Sequence, residues 1–284
     1  MSPLDGISIV STAINVPGPV AVAALRDMGA AVVKVEPPFG DPLAAAAPAW
    51  YAQLCTGTEV LPLDLKHPEG RGRLRALLDT TDVLITSSRP SSLERLGLGW
   101  ESLHSQYSRL CHVAIVGYAA PRQDVAGHDL TYQCDAGLVA PPALPSTLIA
   151  DLSGAQQAVS ATLALLLARE RRGEAGRIEI ALSDAAAAFA PPVQHGLTTA
   201  HGWLGGGVPA YNVYRSSDGW IAVAALEPQF RITLARELGI NVEDADAMSR
   251  TFAARTANEW DAWGRDRGLP MVAIRHPFPV TRYP

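Results

Sequence analysis

Short β-branched apolar runs alternate with stretches of helical period over about the first two hundred residues. "GISIVSTA" (6–13), "AAVVKVE" (30–36), "DVLITSS" (82–88), "CHVAIVG" (111–117) and "RIEIALSD" (177–184) read as buried strands. "PGPVAVAALRDMG" (17–29) predicts a helix with proline near its start and glycine just past its end, and "PEGRGRLRALLDT" (68–80) predicts another. A long apolar helix is predicted from Asp151 to about Arg171. Strands separated by helices, at spacings too long for hairpins, imply βαβ units and an α/β fold with an open, mostly parallel sheet. From about residue 190 the texture changes. "APPVQHGLTTAHGWLGGGVP" (190–209) is rich in Gly, Pro and small residues, and "WIAVAALEPQF" (220–230) predicts a strand running into a helix. The expected organisation is a large α/β domain over 1–189, a linker over 190–208 and a small domain over 209–284.

Composition narrows the class. The 284 residues are 48% apolar and 18% charged, which is globular composition. A net charge of −5 with dispersed basic residues argues against a nucleic-acid partner. Cys55, Cys111 and Cys134 show no C-x-x-C spacing and read as thiols in a reducing compartment. No basic region leading into an apolar core opens the chain, so a cytoplasmic location is expected. "AVSATLALLLA" (158–168) is too short to span a bilayer, and no membrane partner is expected.

Open parallel sheets bind ligands at the carboxyl ends of their strands. No G-x-G-x-x-G follows any of these strands, and "INVPGP" after the first lacks backbone donors for a pyrophosphate. There is no Walker lysine loop, G-x-S-x-G elbow or H-E-x-x-H either, and no metal site is expected. Two short stretches carry candidate chemistry: "AGHDLTYQ" (126–133) and "LIADLSG" (148–154). Taken singly, His128 fits a solvated turn, Asp151 an N-cap, and Glu227 a helix N-terminus. Lys66, Arg71, Arg73 and Arg75 fit a solvated helix face. Taken together, His128 and Asp151 are also an imidazole and a carboxylate able to exchange a proton with one substrate.

"GPVAVAALRDMGAAVVKVEPPFGDP" (18–42), "LDLKHPEGR" (63–71), "RPSSLERLGLGWESL" (89–103), "GHDLTYQ" and "ADLSG" occur in the order found in class III (CaiB/BaiF-like) coenzyme A transferases. The chain resembles that family over nearly its whole length, and within it the α-methylacyl-CoA racemase branch. His128 stands where the transferases commonly carry an aromatic residue, and "AVAALEPQF" (222–230) is similar to a racemase segment bearing a functional glutamate. The resemblance implies a Rossmann-like large domain, a smaller α+β domain and an interlocked homodimer. It implies an acyl-CoA thioester as ligand, with coenzyme A part of the substrate and no further cofactor. His128 and Asp151 would be the two acid/bases, with Glu227 hydrogen-bonded to the imidazole. Lys66 and Arg95 would approach the CoA phosphates, Arg89 and Gly127 would also contact CoA, and Tyr211 would lie at the acyl pocket. The chain departs from the family where a basic loop is usual, having no Arg or Lys from 55 to 65, and carries Thr147 in place of an asparagine and "GYAAP" in place of a Gly-rich segment.

Inverting a carbon next to a thioester carbonyl needs a base on one face and an acid on the other. Histidine titrates near neutrality as a residue type, and a buried carboxyl can be raised to meet it. Two other readings fit the same residues. A CoA transferase would use Asp151 as nucleophile, and a degenerate paralogue would bind CoA or acyl groups without turnover.

Overall fold

Six strands of the first unit form one sheet: β1 (Ser8–Ser11), β2 (Ala31–Glu36), β3 (Glu59–Pro62), β4 (Val83–Thr86), β5 (Cys111–Val116) and β6 (Arg177–Ala181). Every pairing is parallel and the spatial order is β3-β2-β1-β4-β5-β6. This computed structural model describes residues 2–275 and divides the chain into units Met1–Ala190 and Pro191–Pro284.

The central strands are apolar on both faces because both faces are covered. Ile9, Val83, Ile85, Val113 and Ile115 join one core with residues of the helices Pro17–Asp27 and Ile149–Arg172. Val10, Leu84 and Val35 point the other way, into a second core with Leu74 and Leu78 of the helix Pro68–Leu78. Each fully buried aliphatic chain there contributes roughly 1.5–3 kcal/mol. The helix after β1 stops where Gly29 takes φ +105°, a conformation that side chains with a Cβ rarely adopt. Arg169, near the end of the long helix, ties that helix to the sheet through Asp82 (2.8 Å) and the Arg109 carbonyl (2.9 Å).

Some elements differ from the expectation. The long helix begins at Ile149 with Leu148 as its N-cap, so Asp151 lies inside the first turn rather than at the cap. "RIEIALSD" is strand only to Ala181, and Leu182 opens an alanine-rich helix, Leu182–Ala187. β3 has no counterpart in the apolar pattern because it is a largely exposed edge strand.

The second unit contains an antiparallel sheet of β7 (Tyr211–Arg215), β8 (Trp220–Ala224) and β9 (Met271–Ala273). Tyr214, Ile221, Phe252, Trp260 and Met271 are buried in its core, and the Trp260 indole donates to the Phe252 carbonyl (2.8 Å). The Gly/Pro-rich stretch before β7 carries the short helix Pro191–Gln194 and closes on itself through Leu204 N–H to Leu197 O (2.8 Å) and Gly207 N–H to Gly202 O (2.9 Å). Among the described residues no helix is long and apolar enough to cross a membrane.

Candidate active site

In this strand order the chain reverses direction across the sheet between β1 and β4, and the crevice beyond the carboxyl ends of those strands is where ligands of such sheets bind. A cavity of about 190 Å³ opens there. Its walls are the segments that leave β1 (Ile14, Asn15), β4 (Ser87, Arg89) and β5 (Val116, Gly117), closed by Gly127, His128, Tyr132 and Asp151. His128, Asp151, Arg89 and Gly127, scattered over sixty residues of sequence, therefore share one lining.

The loop leaving β1 is held by buried charge. Asp41 is 3% exposed and accepts from the Asn15 N–H (2.9 Å), which helps fix Asn15 at φ +65° on the cavity wall. Lys34, fully buried on β2, donates to Asp41 (2.8 Å) and to Glu36, and Tyr51 also donates to Glu36. A buried carboxylate is retained only with such compensation.

His128 is the N-cap of the helix Asp129–Asp135 and has extended backbone dihedrals. Its N–H donates to Thr131 Oγ1 (3.0 Å), and that hydroxyl donates to the His128 carbonyl (2.8 Å). Both bonds engage the histidine's backbone. Asp129, next in sequence, turns away from solvent. Its carboxylate accepts from the Asp151 N–H (3.1 Å) and from the Gln133 side chain (2.5 Å), which also donates to the Thr147 carbonyl (3.0 Å). Asp129 thus supplies the acceptor at the start of the long helix that Leu148 cannot. This bond sets Asp151 beside a second carboxylate. Burial first, and the Asp129 charge second, push the Asp151 carboxyl up to about 7. The N-cap role is filled elsewhere, and Asp151 is left able to hold or release a proton near neutral pH.

The remaining expected site residues are distributed differently. Lys66 lines a second cavity of about 320 Å³ at the carboxyl ends of β1, β2 and β3, with Thr12, Glu36, Leu63 and Ser88; Ile14 lines both cavities. Arg95 is exposed at the end of the helix Pro90–Arg95 and donates to Ser92 Oγ (2.9 Å); it is not part of either lining. Tyr211 lies in the second unit, in a cavity of about 310 Å³ with Gly205 and Gly206. Glu227, also in that unit, is exposed at the N-cap of the helix Pro228–Leu238 and makes no capping bond with its side chain. Asp129 and Tyr132 escaped the sequence reading as site residues. The acid directly after the histidine was a signal for the first, and only the fold exposes the second. Among the described residues no group of three or more His, Cys, Asp or Glu side chains is arranged to hold a metal ion.

The doubly wound parallel sheet thus places an imidazole and a raised carboxyl in the lining of one cavity at its switch point. Residues 4–277 match CoA-transferase family III, and the chain belongs to that family. It is 30% identical over 290 residues to the alpha-methylacyl-CoA racemase of Homo sapiens, covering 90% of this chain and 74% of the relative. It is 31% identical over 293 residues to the succinate–glutarate CoA-transferase of Agrobacterium fabrum, covering 90% and 72%. The crystal structure of a hypothetical protein from Mycobacterium tuberculosis superposes with a TM-score of 0.83 at 26% identity, covering 97% of this chain and 86% of that one.

Proposed function

We propose that the chain is an acyl-CoA racemase, inverting the carbon alpha to a CoA thioester through an enolate. The observation that carries this reading is the shared cavity of His128 and Asp151, with the Asp151 carboxyl raised to about 7. A catalytic acid or base works best when its pKa lies near the operating pH. In one direction His128 takes the α-proton, the C–H electrons move into the enolate, and the protonated Asp151 returns a proton to the opposite face. In the other direction the roles exchange. No resident cofactor enters this scheme, and coenzyme A arrives as part of the substrate. Lys66 in the neighbouring cavity is the cation proposed to meet its phosphates. The protein is proposed to act in the cytoplasm as a homodimer, with Glu227 hydrogen-bonded to the imidazole. Light scattering that finds a fully active monomer would count against the dimer, and unchanged kinetics in Glu227→Gln against that bond.

The test is deuterium incorporation at the α-carbon of each enantiomer of a 2-methylacyl-CoA in heavy water. His128→Ala is expected to abolish exchange from one enantiomer and to slow it from the other, and Asp151→Ala is expected to show the reverse preference. Loss of a general acid or base costs about 10²–10⁴-fold, well within reach of the assay. Similarity to a succinate–glutarate CoA-transferase favours a second reading, in which the Asp151 carboxylate attacks the thioester carbonyl and expels the CoA thiolate. That thiolate then attacks the Asp151 carbonyl of the resulting mixed anhydride, expelling the donor acid as its carboxylate and leaving CoA on Asp151 as a thioester. A CoA adduct on Asp151 without α-deuterium would establish that reading over the first. No turnover of either kind would leave a CoA- or acyl-binding protein.

A further inference from the structure

A buried tyrosine normally finds a hydrogen-bond partner for its hydroxyl. Tyr132 is 3% exposed and its hydroxyl makes no hydrogen bond among the described residues, but the oxygen is not fully enclosed. Its ring has ordinary packing, edge-on to Tyr118 with centroids 5.1 Å apart. The oxygen keeps accessible surface, where solvent or a ligand can meet it. Tyr132 lines the cavity of His128 and Asp151, and its hydroxyl end lies against two glycines of the same wall. A Cβ on Gly127 would sit 2.5 Å from ring atom Cε1 and 2.8 Å from the hydroxyl oxygen, and a Cβ on Gly117 would run into that oxygen. Any larger residue at either place would evict the phenol. The two glycines therefore form a slot that admits one hydroxyl to the cavity without giving it a protein acceptor.

We propose that the Tyr132 hydroxyl is a catalytic hydrogen-bond donor to the thioester oxygen of the bound acyl-CoA. The proposal rests on the reading that this cavity processes an acyl thioester. It adds the group that meets the charge when the α-proton leaves. As the base removes that proton, the electron pair passes to the carbonyl oxygen, and the phenol O–H shortens its bond to the forming enolate without transferring its own proton. The reprotonating acid then supplies the carbon, and the phenol is unchanged at the end. Its surroundings suit a donor that keeps its proton. Burial, then Tyr118 and Asp151, push the phenol up to about 12, with Arg89 acting in the opposite direction. A neutral donor aimed at a developing oxyanion in a small cavity is among the stronger devices for lowering such a barrier.

The experiment compares wild type with Tyr132→Phe, which removes one oxygen and retains the ring. The first readout is the ¹³C=O stretch of a carbonyl-labelled 2-methylacyl-CoA bound to each protein, by difference infrared spectroscopy. A donor to the carbonyl lowers that frequency in wild type, and the variant is expected to lose the lowering at unchanged thermal midpoint. The second readout is α-deuterium exchange, where a fall of about 10²-fold in kcat with little change in KM is expected. Equal carbonyl frequencies and equal rates in the two proteins would overturn the proposal. If wild type transfers CoA and exchanges no α-proton, the racemase reading fails by itself. The infrared comparison then decides the role of Tyr132 without turnover. Gly127→Ala supplies an independent arm: by displacing the ring it is expected to reproduce the frequency change of Tyr132→Phe, and retention of the wild-type frequency would contradict the slot.

Discussion

Asp151→Asn is expected to stabilise the protein increasingly as the pH rises. The carboxyl ionises at 3.8 in an ordinary setting and at about 7 in the fold. Its folded pKa is raised, so its contribution to stability is full below pH 3.8 and is lost as pH rises through 7. The rise from 3.8 to about 7, at about 1.36 kcal/mol for each tenfold change in proton affinity, costs the ionised fold about 4 kcal/mol by pH 8 and about 2 kcal/mol at pH 5.5. Asparagine keeps the shape and cannot ionise. It gives up a favourable interaction with the helix N-terminus of only about 0.5 kcal/mol, too small to hide the effect. The Asp151 N–H, which donates to Asp129, is unaltered by the change. Urea midpoints of the two proteins from pH 4 to pH 8 are the assay. The variant's advantage is expected to be absent near pH 4 and to grow to several kcal/mol at pH 8. A difference independent of pH would mean that Asp151 ionises normally in the fold, and the physical ground for using it as an acid near neutral pH would be gone.

Further substitutions test separate parts of the structure. His112 on β5 is 1% exposed, bonded to Thr86 (3.0 Å), and burial followed by the Arg177 charge lowers it from 6.5 to about 3. Its stabilising effect is therefore full above pH 6.5 and falls as the pH drops toward 3. About 2 kcal/mol of the stability difference between wild type and His112→Asn is expected to disappear from pH 8 to pH 5 in denaturant melts. Lys34→Met leaves Glu36 and Asp41 buried without their cation, with an expected loss of about 3–5 kcal/mol in urea unfolding. A loss below about 1 kcal/mol would show that water reaches the pair. Lys66→Ala is expected to weaken CoA binding about tenfold or more by calorimetry, as for one charge-assisted contact, while Arg95→Ala, outside either cavity lining, has the smaller effect.

The β-branched runs of β1, β2, β4 and β5 were legible in the sequence because strands covered on both faces need apolar residues at nearly every position. The helix Pro17–Asp27 was legible from its proline and its following glycine. β3, exposed along most of its length with a single neighbour, left no such mark. The ordered family segments were enough to single out His128 and Asp151. Local spacing alone favoured a cap at Asp151, which the fold overturns by starting the helix at Ile149. What only the tertiary structure decided is proximity. Strand order is set by which edges pair, and alternation of strands and helices is compatible with many orders. The order found brings the segments after β1, β4 and β5 to one crevice and places Lys66 across Ile14 in the next. The bond from the Asp151 N–H to Asp129, the burial that raises the Asp151 carboxyl, and the glycine slot around Tyr132 all depend on approaches of a few ångströms that only the folded chain sets. Residue types determine which charges are available to a site, and burial and distance in the folded chain determine how strongly those charges act on one another.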